Sequence, residues 1–361
     1  MIIPLYSLFY QLNHPASSMR FYLLLLLPAV LYFPAGAQTK AALVRNELIM
    51  PVAVTPSSHA STITALGSGD LLSAWFGGKE EGNKDVEIWS SRFTAGKWQA
   101  PVKLADGVIN DTLRYPCWNP VLFRTRAGLL CLFYKVGPNP REWWGMARYS
   151  SDDGGSWSSP EKLPEGMLGP IKNKCIQLPD GRLLHPSSTE SVKGNHWVSH
   201  MEISDSTGHQ WQKVAIDCDS FGVIQPTVLT HRDGRLQLLF RSRQKVVATS
   251  WSEDMGATWT RVSALQLPNP NSGIDAVTLP NGAMALVYNP TKGGSKWSDG
   301  RNELRLAVSN DGIKWKDVYQ LEKRAGGEYS YPAIIATADG LVHITYTSDR
   351  KNIRAVTLQL K

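Results

Sequence analysis

Two arginines, a tyrosine and several acids stand at matched counts from recurring glycine turns. Arg241 lies seven residues after Gly234, and Arg301 eight before Ser309. Tyr331 lies nine before Gly340 in the run Tyr-Ser-Tyr-Pro, where Tyr329 is the alternative phenol. The same counting collects His59, Asn119 (beside Trp118), Lys172, Gln225 and Ser272 about nine or ten residues before their glycines. Lys135, Glu190 and Asn289 join Arg241 about seven residues or slightly more after theirs, and loops beyond add Glu80, Glu81 and Asp85. Guanidinium, ammonium, phenol, imidazole, amide and carboxylate groups on one level make a polar mouth of mixed charge, as expected of a small-ligand site. No HExxH, no CxxC pair and no Gly-rich phosphate loop occurs, so neither a metal nor a nucleotide cofactor is expected.

The elements that must position these groups repeat. Gly69, Gly128, Gly181, Gly234, Gly282 and Gly340 follow one another at intervals of 59, 53, 53, 48 and 58 residues. Each sits between two apolar stretches with the alternation of strands, as in 237-QLLFRS-242. A tryptophan (Trp98, Trp157, Trp211, Trp259, Trp315) ends each of the first five units. A β-rich period near 50 predicts an all-β six-bladed β-propeller of four-stranded antiparallel blades, because one such sheet cannot bury both faces alone. The last unit offers three strands, about 332–338, 341–347 and 352–359, so the segment 43–54 is expected to supply the fourth and close the ring.

Residues 19–38 read as a secretory signal: Arg20, an apolar run, then Ala35-Gly36-Ala37. Residues 1–37 are therefore expected to be removed, with Met19 as the true start and 1–18 an over-extension, leaving a single domain over 38–361. The apolar run is short and broken by two prolines, so no stable membrane insertion of the mature chain is expected. Export places the protein in the periplasm or outside the cell. The net charge of +7 becomes about +6 once Arg20 is removed, and no basic run of four or more occurs, which argues against nucleic acid. A monomer is expected, with its four cysteines mostly as buried free thiols.

Tight turns of the form Ser-x-Asp-x-Gly-x-x-Trp recur at 151-SDDGGSW-157, 252-SEDMGATW-259 and 309-SNDGIKW-315, with a looser copy at 204-SDSTGHQW-211. The Asp side chain can fold back onto backbone amides, and Gly takes the positive-φ position. In register with the blades, these turns resemble the Asp-boxes of the sialidase (neuraminidase) superfamily, over nearly the whole mature chain. The resemblance implies three arginines on a sugar carboxylate, a tyrosine nucleophile activated by a glutamate, and an aspartate acid/base. On that pattern Arg241 and Arg301 fall on the second and third arginines and Tyr331 on the nucleophile. Glu81 or Asp85 lies in the loop of the acid/base. The first arginine is replaced by His59, the glutamate that braces it by Thr347, and the activating glutamate by Gln225.

The implied activity is that of an exported exo-acting glycoside hydrolase releasing a terminal acidic sugar, sialic acid or a related acid, from a glycan. Arg241 and Arg301, with Lys172, would hold the carboxylate, and His59 or Glu190 would tune the site. Asn119, Gln225 and Trp118 would line it, with Trp118 and 143-WW-144 available to stack on sugar faces. Two rivals remain: a lyase acting on a uronic acid with His59 or Tyr331 as base, and a glycan-binding propeller without catalysis.

Overall fold

The computed structural model describes residues 40–191, 195–218 and 221–361. The expected signal segment lies outside the described residues. Every regular sheet element belongs to one of six antiparallel blades. Blade 1 is Ser57–Ala65, Leu71–Gly78 and Glu87–Thr94, with Lys97–Trp98 and Val102–Ala105 both pairing with the third strand. Blades 2 to 5 begin at Cys117, Ile176, Val223 and Asp275, and each runs through four consecutive strands. Blade 6 is Tyr329–Ala336, Leu341–Ser348 and Asn352–Leu360, and its fourth strand is Ala41–Leu48 from the other end of the domain. That closing strand starts two residues earlier than the expected 43–54 and stops sooner. Beyond it Ile49 gives its N–H to the Ile353 carbonyl, and Ile49 and Met50 are buried before Pro51.

All six turn glycines have φ between 78° and 94°, the left-handed region a Cβ would strain. Between blades the core is aliphatic and aromatic: Trp75, Tyr134, Phe133 and Phe240 are fully buried. The Asp-box tryptophans Trp157, Trp211, Trp259 and Trp315 pack on its clusters. The first box begins at Ser150 rather than Ser151: the Ser150 hydroxyl donates to Asp152 at 2.7 Å and accepts from the Gly154 amide at 2.8 Å. Asp254 and Asp311 repeat this geometry, with Trp259 and Trp315 donating to the Gly256 and Gly312 carbonyls, both at 3.1 Å. All four cysteines are buried, and Cys117, Cys131 and Cys175 are free thiols.

Two features of the inner strands prepare the site. In blades 1, 2, 4 and 6 the pairing of first and second strands slips at the same place, after His59, Trp118, Ile224 and Ser330. The residues in those bulges, Ala60, Asn119, Gln225 and Tyr331, have φ of 54°, 37°, 56° and 51°. A left-handed non-glycine residue costs about 1–3 kcal/mol, and a bulge re-aims its side chain. In three of the four the next residue is proline (Pro120, Pro226, Pro332), which has no N–H for the bulge to leave unpaired. Beneath them, buried Asp275 accepts from Lys174 at 2.8 Å, from Thr227 at 2.7 Å and from the Ile334 amide at 2.9 Å. One carboxylate thereby joins the inner segments of four blades.

Candidate active site

Tyr331 stands at the centre of the mouth. Its hydroxyl oxygen accepts a hydrogen bond from Arg241 Nη1 at 2.8 Å. The same Nη1 donates to Gln225 Oε1 at 3.2 Å, while Arg241 Nε donates to Asn271 Oδ1 at 3.0 Å. Gln225 therefore orients the guanidinium, where the resemblance would place a base for the phenol. The Tyr331 ring has Arg241 at 5.7 Å, Arg301 at 6.0 Å and the Lys172 ammonium at 6.0 Å from its centroid.

A third arginine, Arg350, comes from the turn after the second strand of blade 6, with φ of 54°. Glu328 joins it to Arg301: one carboxylate oxygen accepts from Arg301 at 3.0 Å, the other from Arg350 at 2.8 Å. Burial pushes the Glu328 carboxyl up, but Arg350 and Arg301 outweigh it and hold the pKa below the ordinary range. Arg350 also pairs with Glu81, and its carbonyl accepts the Ser58 amide at 2.9 Å, next to His59. It thus supplies a guanidinium close to where the sequence pattern lacks one. Counting from glycines before a strand misses it, because it sits in the hairpin Ser348-Asp349-Arg350-Lys351. The usable signal is that the strand after Gly340 must return to the mouth.

Glu81, Glu190, Arg241, Arg301, Tyr331 and Arg350 line one hollow of about 420 Å³, with Trp197, Asn271 and Trp297 completing its walls. Trp297 is 64% exposed, yet Arg301 and Arg350 each lie 4.8 Å from its ring centroid. Arg241 and Arg243 similarly flank Trp197 at 5.6 and 4.2 Å. Glu190 is half-buried; burial raises its carboxyl pKa against the pull of Arg241, the right direction for holding a proton to donate.

Other expected site residues serve elsewhere. Asp85 lies outside the lining of the hollow: its two oxygens accept the Lys79 amide at 3.2 and 3.1 Å and pin the loop. Lys172 does not reach the hollow. Its buried ammonium donates to Asn173 at 2.8 Å, to the Ile274 carbonyl at 3.1 Å and to the Pro332 carbonyl, and burial lowers its pKa to about 7. Trp118 is buried, donates to the Gly137 carbonyl at 2.9 Å and packs edge-on against Trp143, so it presents no face to a sugar. Asn119 is buried in its bulge, outside the lining. Tyr329 is fully buried in the core shared by blades 5 and 6, which leaves Tyr331 as the phenol of the site.

Lys135 and Asn289, expected at the mouth, are buried braces; Asn289 donates to the Glu303 and Tyr329 carbonyls at 2.6 and 2.8 Å. His59 lies under the site, its ring 4.3 Å from that of Tyr331 and its Nδ1 2.9 Å from the Thr347 hydroxyl. Burial first, then Arg350 and Arg301, push its pKa well below the usual value, so the ring is neutral, and buried Nε2 has no partner among the described residues.

The BNR repeat-like domain family matches residues 69–344, three quarters of the chain. No curated protein matches the sequence. Among solved structures, a protein of unknown function from Dyadobacter fermentans superposes with a TM-score of 0.72 at 16% identity, covering 89% of this chain and 99% of that one. A Hadza microbial sialidase gives 0.68 at 18%, over 85% of this chain and 66% of its own. The NanB sialidase of Streptococcus pneumoniae gives 0.68 at 14%, over 87% and 70%. Identities this low speak for the fold alone, and the family match agrees with it: the chain belongs to the BNR repeat-like family and shares its fold with these sialidases.

Proposed function

We propose that the protein is an exported, sialidase-like glycoside hydrolase that releases a terminal acidic sugar, sialic acid or a related acid, from a glycan. The observation that carries this reading is the convergence of Arg241, Arg301 and Arg350 on one hollow around Tyr331. Three guanidinium groups line the hollow with two carboxylates, Glu81 and Glu190, so an arriving anion meets a net positive wall. Planar guanidinium forks match a sugar carboxylate in geometry as well as charge. In this reading Arg301 and Arg350 grip the carboxylate and Arg241 positions the Tyr331 oxygen for attack on the anomeric carbon. Glu190 protonates the departing oxygen, then activates water to release the sugar. Gln225 cannot take the phenol's proton; with Glu190 carrying the proton for the departing oxygen, Glu81 is the carboxylate of the hollow that takes it and returns it when the tyrosine is released. Arg350 in place of an arginine from blade 1 shifts the grip on the carboxylate and favours an acid other than the common sialic acid.

The amide at Gln225 also favours a second reading, β-elimination on a uronic acid. There the arginines would neutralise the carboxylate and Tyr331 or His59 would serve as base. Incubation of the mature protein with sialyl, other keto-acid and uronyl glycans separates these outcomes. Release of a free acidic sugar without ultraviolet absorbance is the expected result. New absorbance from a conjugated double bond would replace hydrolysis by elimination. Binding without either product would leave a glycan-binding propeller.

A further inference from the structure

Asn271 belongs to the link between blades 4 and 5, after Ser263–Pro268 and before Asp275–Thr278. Its backbone is left-handed, with φ of 60°, and in that conformation its side-chain oxygen and its carbonyl oxygen both reach Arg241. Arg241 Nε donates to Asn271 Oδ1 at 3.0 Å, and Nη2 donates to the Asn271 carbonyl. Nε and Nη2 form the side edge of a guanidinium, one of the forks on which a carboxylate sits with both oxygens. The end fork, Nη1 with Nη2, is closed as well. Nη1 donates to Gln225 Oε1 at 3.2 Å and to the Tyr331 oxygen at 2.8 Å. A guanidinium has five N–H groups. Arg241 gives two to Asn271, one to Gln225 and one to Tyr331, and one remains.

Arg301 and Arg350 are committed differently. Arg301 gives one N–H to Glu328, and its buried Nε has no partner among the described residues. Arg350 gives two, to Glu328 and to Glu81. Five less one and five less two leave four and three N–H groups for further acceptors, against one on Arg241. The link that holds Arg241 is itself fixed. Buried Asn269 accepts the Ser272 amide at 2.9 Å, and Gly273 makes room for the Tyr331 ring, since a Cβ there would lie 3.3 Å from its Cγ. We propose that Asn271 is a positioning residue: its two oxygens occupy the fork that a substrate carboxylate would take and commit Arg241 to the Tyr331 oxygen. The acid is then gripped by Arg301 and Arg350 alone. Arg241 moves no proton. Its Nη1–H stabilises the negative charge that gathers on the Tyr331 oxygen as the phenol's proton leaves and again when the tyrosine departs. The role in turnover rests on the acidic-sugar hydrolase reading, whereas the lock of Asn271 on Arg241 does not.

Two measurements keep those readings apart. Asn271→Gly keeps the left-handed backbone and the carbonyl and removes the side-chain acceptor, while Asn271→Asp keeps an acceptor in place. The first measurement uses aryl α-ketosides of N-acetylneuraminic acid and of its deaminated analogue. Asn271→Gly is expected to lower kcat about tenfold and leave KM within about twofold, and Asn271→Asp to recover most of the rate. A KM raised more than kcat is lowered would place Arg241 on the carboxylate and overturn the proposal, as would kinetics like those of the wild type. The second measurement needs no turnover. It is the exchange with water of the Arg241 Nε–H, followed by heteronuclear NMR and identified by its loss in Arg241→Lys. In the wild type this proton is expected to exchange about tenfold more slowly than in Asn271→Gly, and equal exchange overturns the lock. A slow Arg241 proton in a protein that turns over neither ketoside overturns the hydrolase reading and leaves the lock standing.

Discussion

The two ends of each blade are built on different principles. At the Asp-box end the box carboxylates bond locally: Asp152, Asp254 and Asp311 hold amides and hydroxyls no more than four residues away. At the mouth the bonds join distant parts of the chain. Arg241 meets Tyr331 across 90 positions, Arg350 meets Glu81 across 269, and His59 meets Thr347 across 288. The box end is therefore a largely local solution, repeated in blades 2 to 5. The mouth exists only when the ring has closed, because its arginines and its phenol come from blades 4, 5 and 6 while Glu81 comes from blade 1. Damage at one end should cost stability in small, separable amounts, and damage at the other should cost function or closure.

The sharpest break is Tyr331→Phe, which removes one oxygen and keeps the ring. Turnover is expected to fall by about 10³-fold or more with thermal stability nearly unchanged, checked by product release and by calorimetry. Retained turnover would exclude the phenol as nucleophile. Next comes Lys174→Met under the mouth, which leaves the Asp275 carboxylate buried without its cation. A loss of about 3–5 kcal/mol is expected from denaturant unfolding. Arg350→Ala should raise KM for the acidic substrate by about 10²-fold with a smaller change in kcat, the pattern of a lost carboxylate grip. Arg350→Lys should recover only part of it, since an ammonium cannot reproduce a bidentate fork. The smallest effect is Asp311→Ala in one box, expected to lower Tm by about 1–3 °C and leave turnover intact.

pH separates the buried histidines from the box carboxylates. The His59 pKa lies well below its usual 6.5 and that of His185 is lowered to about 3, burial being the main cause of both. The unfolded chain binds protons at these positions that the folded chain refuses, so stability should begin to fall as pH drops below about 6.5. The box carboxylates act lower. The amide and hydroxyl of Ser156 hold Asp152 at about 2 against an ordinary 3.8, and Asp205, Asp254 and Asp311 are lowered as well. Their folded pKa is depressed, so their contribution is complete above about 3.8 and disappears as pH falls toward 2. Two stages in an acid titration, the upper one reduced by His59→Gln, are the expected result. A single transition insensitive to that substitution would contradict the assignment.

The legible part of the site followed from the repeat. Counting from turn glycines for Arg241, Glu190 and Tyr331, and back from an Asp-box for Arg301, picked out residues that line one hollow, because a residue's level along a strand is a property of local chain length. Trp118 and Lys172 share that level yet bond away from the hollow, and Asp85, taken from its loop, turns its carboxylate to the Lys79 amide. Level along a strand says nothing about direction once a bulge resets the alternation. Arg350 escaped because the hairpin that carries it meets the mouth only through the blade closed by Ala41–Leu48. The bulges themselves left a trace in Asn-Pro, Gln-Pro and Tyr-Pro, but a dipeptide does not reveal that its side chain faces a channel.

Taken alone, the amino-acid order determined what is periodic or local: six sheets, glycine turns, box geometry, and a polar level at one end of the rotor. These depend on interactions spanning a few residues, which a linear pattern records. Which of the polar groups converge was decided by the closed ring. A guanidinium of blade 4 and a phenol of blade 6 become neighbours through packing across the axis, and that juxtaposition has no counterpart in sequence spacing.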